Sequence, residues 1–142
     1  MVPELWWHRP LLLAGVTCDA KSRVVALVVP SSSLRSPPGR GIAGDLPLSV
    51  GLLTELKELS LPSRGLFGEI PAEIWRLEKL EVVNLAGNSL RGALPPAFPR
   101  RLRVLNLASN ALHGEIPDSL CSCTGLERLD LSGNRLNGTA RA

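Results

Sequence analysis

The strongest constraint on this chain is a spacing. A pattern written Leu-x-x-Leu-x-Leu-x-x-Asn-x-Leu-x-Gly-x-Ile-Pro returns along the sequence, most completely as Leu102, Leu105, Leu107, Asn110, Leu112, Gly114, Ile116 and Pro117. An earlier copy reads Leu80, Val83, Leu85, Asn88, Leu90, Gly92, Leu94 and Pro95, and a later one Leu126, Leu129, Leu131, Asn134, Leu136 and Gly138. Upstream, Leu56, Leu59, Leu61, Leu66, Gly68, Ile70 and Pro71 repeat the pattern with Arg64 at the asparagine position. The copies begin at Leu56, Leu80, Leu102 and Leu126, steps of 24, 22 and 24 residues. Self-similarity at such a period marks an array of one supersecondary unit, stacked on itself.

The first copy is interrupted. Val24, Leu27, Val29, Ser32 and Leu34 start it, and Ile42, Gly44, Leu46 and Pro47 finish it. Val24 to Leu56 spans 32 residues, one unit of 24 plus eight, so an insertion between Leu34 and Ile42 accounts for the phase. Its content, Ser36-Pro37-Pro38-Gly39-Arg40-Gly41, is loop chemistry. The array divides into units 24–55, 56–79, 80–101, 102–125 and 126–142, with residues 1–23 as an incomplete N-terminal cap.

Within each unit the Leu-x-Leu core has the period of a strand, so both leucines point inward and their neighbours face solvent. No single unit can bury its own leucines. Neighbours must therefore stack, which joins one short parallel strand per unit into a sheet with a concave face. Each buried leucine contributes about 1.5 to 3 kcal/mol relative to the unfolded chain. Asn88, Asn110 and Asn134 follow the strands, where the backbone turns inward and needs partners, and their amides can both donate and accept there. They are expected to form a structural ladder. Gly92, Gly114 and Gly138 supply freedom for the next bend, and Pro71, Pro95 and Pro117 fix an extended stretch beyond it.

The Leu-x-Gly-x-Ile-Pro ending at 66–71 and 112–117 resembles that of plant-type leucine-rich repeats. Gly15-Val16-Thr17-Cys18-Asp19, followed by Arg23-Val24-Val25-Ala26-Leu27, looks like the end of the N-terminal cap in plant leucine-rich repeat receptor-like serine/threonine kinases. Leu59-Ser60-Leu61-Pro62-Ser63-Arg64-Gly65-Leu66 and Asn106-Leu107-Ala108-Ser109-Asn110 are most similar to the receptor-like protein kinase two, or Toadstool-type, branch. The resemblance implies an α/β solenoid of about five repeats, with parallel strands on the concave face and turns and 3-10 segments on the convex one. It further implies an ectodomain outside the cell or at the plasma membrane, which binds a peptide ligand or a co-receptor protein and signals through a kinase domain that this sequence does not contain. The alternatives are a free-standing secreted interaction or inhibitor protein, and a non-functional gene fragment. The family cap has an earlier cysteine paired across a tryptophan, but nothing before Cys18 can play that part, and Trp6 and Trp7 lie too far upstream of Gly15. With no cap after Asn137, the last leucines are expected to be exposed, as in a fragment, a splice variant or a faulty gene model.

Outward strand positions are not committed to the core and form the candidate ligand-binding surface. One column is Lys57, Glu81, Arg103 and Glu127; the next is Glu58, Val82, Val104 and Arg128; a third is Ser60, Asn84, Asn106 and Asp130. Their mixed charge suits a peptide. A net charge of +3 is mild, and Arg100, Arg101 and Arg103 read as a solvated turn, so no nucleic-acid partner is expected. The aromatic share of 4% means that aliphatic side chains must build the core.

No apolar run approaches the roughly 18 residues needed to cross a bilayer. The start of the chain, broken by Pro3, Glu4 and Pro10, is not read as a working export signal. Cys18, Cys121 and Cys123 are an odd set and are read as small buried hydrophobes; with His8 and His113 they make no metal site. Asn137-Gly138-Thr139 is a glycosylation acceptor if the chain enters the secretory pathway.

No catalytic set and no cofactor are expected. His113 reads as a solvated turn residue, and no carboxylate pair is marked out for acid–base work. Gly39-Arg40-Gly41-Ile42-Ala43-Gly44 spells a nucleotide-loop pattern, but Pro47 follows where a helix should open, and its last residues also fit the repeat's own ending. Titration of the protein with nucleotide in a calorimeter is expected to give no heat; measurable heat would restore that motif as a site.

Overall fold

The computed structural model describes residues 15–29 and 44–137. Its strands are β1 Val16–Cys18, β2 Val24–Val28, β3 Gly44–Asp45, β4 Glu58–Ser60, β5 Leu66–Glu69, β6 Val82–Asn84, β7 Ser89–Gly92, β8 Val104–Asn106, β9 Ala111–Glu115, β10 Arg128–Asp130 and β11 Arg135–Asn137. Three 3-10 turns, Leu48–Leu52, Ala72–Arg76 and Asp118–Ser122, complete the regular structure. The chain winds as stacked coils. β2, β4, β6, β8 and β10 pair in parallel, one per repeat, and β1 closes this six-stranded sheet antiparallel to β2.

Repeat-equivalent residues face one another across this sheet: Ala26 pairs with Glu58, Glu58 with Val82, Val82 with Val104 and Val104 with Arg128. The leucines between them point inward. Leu56, Leu59, Leu80, Val83, Leu85, Leu102, Leu105 and Leu107 are fully buried. Packing of one coil on the next is what removes them from water. In the last coil Leu129 is 45% exposed, because within the described residues no coil covers it. Leu126, Leu131 and Leu136 are half-buried.

A second parallel sheet, β3-β5-β7-β9-β11, runs behind the first and was not anticipated. It is built from the Leu-x-Gly segment, whose register steps by two residues per coil. Gly44 pairs with Leu66, Gly68 with Leu90, Gly92 with Leu112 and Gly114 with Leu136. Gly92 sits at φ 99°, a left-handed backbone that only glycine adopts without strain. The eight-residue insertion lies outside the described residues, yet Gly44 is already in the register of the later glycines, so the first coil has regained phase by that point. No α-helix occurs among the described residues; the 3-10 turns and this sheet form the outer side.

Each ladder asparagine joins two coils. Asn88 Nδ2 donates to the carbonyls of Leu61 in the preceding coil and Leu85 in its own, at 3.0 and 2.8 Å, while Oδ1 accepts from Arg64 N and Leu66 N. Asn110 donates to Leu85 O and Leu107 O and accepts from Leu90 N. Asn134 donates to Leu107 O and Leu131 O and accepts from Leu112 N. The residue before each of these positions, and before Arg64, is left-handed: Ser63, Gly87, Ser109 and Gly133. Serine and glycine alternate for a steric reason. A Cβ at Gly87 would lie 2.6 Å from Ser63 Oγ, and one at Gly133 would lie 3.1 Å from Ser109 Oγ.

The cysteines depart from expectation. Only Cys123 is buried, and its thiol is pushed up by desolvation. Cys18 ends the edge strand β1, and Cys121 lies on the outward side of the third 3-10 turn, where Leu120 and Cys123 take the inward places; both are exposed.

Asn110→Ala removes a side chain that satisfies backbone groups of two coils and should destabilise the protein by about 1 to 3 kcal/mol. Urea unfolding followed by circular dichroism measures this, and an unchanged midpoint would show that the ladder is not structural.

Candidate protein-binding face

The registers of the six-stranded sheet gather the twelve outward residues into three rows, which differ in how much of each side chain remains for a partner. In the first row the backbone steps from coil to coil: Glu81 N donates to Lys57 O, Arg103 N to Glu81 O, and Glu127 N to Arg103 O. Arg103 is not free within it. Its Nε lies 2.9 Å from Glu127 Oε2 and its Nη1 3.5 Å from Glu81 Oε1. The hydrogen bond from Arg103 holds the Glu127 carboxyl below its ordinary range, and Glu127 in turn raises the guanidinium. All three groups are solvated, so the chain of charges shapes the surface and adds little to stability.

The second row, Glu58, Val82, Val104 and Arg128, runs from acid through two half-buried valines to an exposed base. The third row serves the fold as well as the surface. Asn84 Oδ1 accepts from Ala86 N at 3.2 Å and Asn106 Oδ1 from Ala108 N at 3.1 Å. Asp130 Oδ1 accepts from both Ser132 Oγ and Ser132 N, at 2.6 and 3.0 Å, and these bonds lower its carboxyl, the hydroxyl most. Such i to i+2 bonds are Asx turns, and here they start the bend that leads to the ladder. Reading the rows by alternation alone missed this commitment. The signal was available in Asn84-Leu85-Ala86, Asn106-Leu107-Ala108 and Asp130-Leu131-Ser132, each an Asx residue two places before a small one.

Rows two and three line a groove of about 570 Å³ together with Leu105, Leu129 and Glu127. Nine of the twelve residues thus converge: Glu58, Ser60, Val82, Asn84, Val104, Asn106, Glu127, Arg128 and Asp130. Lys57, Glu81 and Arg103 do not line it. The floor is apolar at Val82 and Val104. Asn84 and Asn106 line the groove beside the valines, with Glu58 in its first coil and Glu127, Arg128 and Asp130 in its last. Asn137 is exposed at the end of β11, while Gly138 and Thr139 of its acceptor triad lie outside the described residues.

A family model described as Leucine rich repeat matches residues 78–136. No curated protein matches the chain significantly. Among solved structures, a chain of the BIR3–SERK2 complex from Arabidopsis thaliana is similar at 34% identity and a TM-score of 0.77, over 90% of this chain and 66% of that one. The leucine-rich repeat ectodomain of the receptor kinase SOBIR1 from Arabidopsis thaliana is similar at 30% identity and 0.68, over 89% of this chain and 83% of that one. The plant peptide hormone receptor RGFR1, solved in complex with RGF2, is similar at 30% identity and 0.53, over 66% of this chain and 19% of that one. The repeats, the two sheets and these likenesses agree: the chain belongs to the leucine-rich repeat family, in a form similar to the ectodomains of plant receptor kinases.

Proposed function

We propose that this chain is a ligand-binding solenoid of a plant cell-surface receptor-like kinase, of the Toadstool-type branch, and that it acts by binding and not by catalysis. The observation that carries this reading is the groove on the six-stranded sheet. Its two valines offer an apolar stretch, Asn84 and Asn106 lie beside it as polar partners for an extended peptide backbone, and the charges are Glu58 in one coil and Glu127, Arg128 and Asp130 in the last. The partner is a peptide or a co-receptor protein, outside the cell or at the plasma membrane. Support comes from the similarity to plant receptor ectodomains and from the cap-like hairpin of β1 and β2. The array is read as a cap, residues 1–23, followed by coils 24–55, 56–79, 80–101, 102–125 and 126–142. No helix among the described residues is long and apolar enough to cross a membrane.

Rigid strands make such a face specific, because its side chains are held by packing before a partner arrives. Linear peptides selected on the wild-type protein from a displayed library are expected to lose binding to the charge-reversed R103E/R128E protein, with its circular dichroism unchanged. Arg128 lies in the groove. Arg103 holds Glu127, so reversal there also frees an acid at the groove's edge. Selected peptides that bind the double variant as well as the wild type would refute this face.

Asn137 is proposed as a glycan acceptor. Secreted expression with a supplied export signal should give a protein that loses mass on enzymatic deglycosylation, and Asn137→Gln should abolish the difference. A wild-type mass unaltered by deglycosylation would show that the site is unused.

A further inference from the structure

The outer wall of the solenoid is broken at one coil. Coils starting at Val24, Leu56 and Leu102 each return through a 3-10 turn, at Leu48–Leu52, Ala72–Arg76 and Asp118–Ser122. The coil starting at Leu80 reaches Leu102 in 22 residues, not the 24 of its neighbours, and forms no such turn. The first two turns pack against each other, but the row cannot continue across the short coil. Phe98 fills part of the gap and meets Trp75 edge-on, with ring centroids 5.3 Å apart and planes at 74°. What remains is a groove of about 460 Å³, lined by the edges of these rings together with Arg76, Arg100 and Arg101.

The charges around it are unevenly spent. Lys79 Nζ, also on the groove, is 2.7 Å from Glu55 Oε1 and so is already paired. Among the described residues no ion pair engages Arg76, Arg100 or Arg101, and all three are exposed. Glu78 is the one acid in the lining. By composition, none of the segments outside the described residues is rich in acids: 30–43 carries Arg35 and Arg40, 138–142 carries Arg141, and 1–14 carries Glu4 and Arg9.

A guanidinium fork matches a carboxylate in two parallel hydrogen bonds, which a cluster of three can offer to successive acidic residues. Nucleic acid fits less well. Trp75 and Phe98 are 7% and 9% exposed, so neither presents a face on which a base could stack. The positive patch is also confined to one gap and does not form a stripe that would follow a phosphate backbone.

We propose that the gap left by the short coil is a second docking site, outside the six-stranded sheet, for an acidic segment of a partner protein, gripped by Arg76, Arg100 and Arg101. The binding face on the sheet and this groove use different residues, so each can fail without the other. The test is fluorescence anisotropy with a labelled decaglutamate peptide, a decaglutamine peptide as control, and a ten-residue oligothymidylate. Decaglutamate should bind and decaglutamine should not. The triple variant R76Q/R100Q/R101Q, at exposed positions and checked by circular dichroism, should weaken binding about tenfold. A charge-matched variant, K21Q/R91Q/R135Q, which touches neither surface, should leave it near the wild-type value. Equal weakening by both variants would reduce the effect to net charge and overturn the site. Equal affinity for the oligothymidylate, or no binding of decaglutamate to the wild-type protein, would overturn it too.

Discussion

Every coil faces the same difficulty at the same place: immediately after a buried strand the chain must bend inward, carrying carbonyl and amide groups out of reach of water. An asparagine answers it by donating to carbonyls of its own coil and the preceding one while accepting from the preceding coil's amides. Leaving such groups unpaired costs more than forming one ordinary hydrogen bond gains. The ladder therefore sets which coil sits on which and at what height. Leucine burial supplies most of the driving force, but it is nearly indifferent to a small slip between aliphatic surfaces. Directional bonds are what remove that freedom.

Once the coils are in register, the inner surface follows. Side chains at equivalent places form rows, and a row of long charged residues satisfies itself first, as Arg103 does between Glu81 and Glu127. Where the row is short or β-branched, at Val82 and Val104, an apolar floor is left for a partner. The third row is divided between two tasks: Asn84 and Asn106 line the groove while their Oδ1 atoms hold the bend. A surface made in this way is rigid because its residues also belong to the scaffold.

The outer side obeys a different rule. Coil length can vary there because no ladder fixes it, and a loss of two residues removes a whole 3-10 turn. Packing then opens a gap that one aromatic side chain cannot fill. A minor change in length thus produces a feature at the scale of a binding site, on a face where the repeat consensus says nothing about chemistry.

Residue order alone decided the solenoid, its period, its inward leucines and the strands of the inner sheet, since each of these depends on contacts between equivalent positions that the repeat displays openly. It also marked Asn88, Asn110 and Asn134, because a short amide side chain can both donate and accept at that bend. Only the stacked structure decided what depends on neighbours in different coils. The outer sheet pairs residues two places out of phase, so Gly68 meets Leu90 and not Gly92. Serine and glycine alternate at 63, 87, 109 and 133 because a side chain on one coil occupies the space a Cβ on the next would need. Arg103 was legible as a surface charge, yet its engagement with two acids came from a coil above and a coil below. The 22-residue unit could be counted in the sequence, but the groove it opens is a property of the coils on either side.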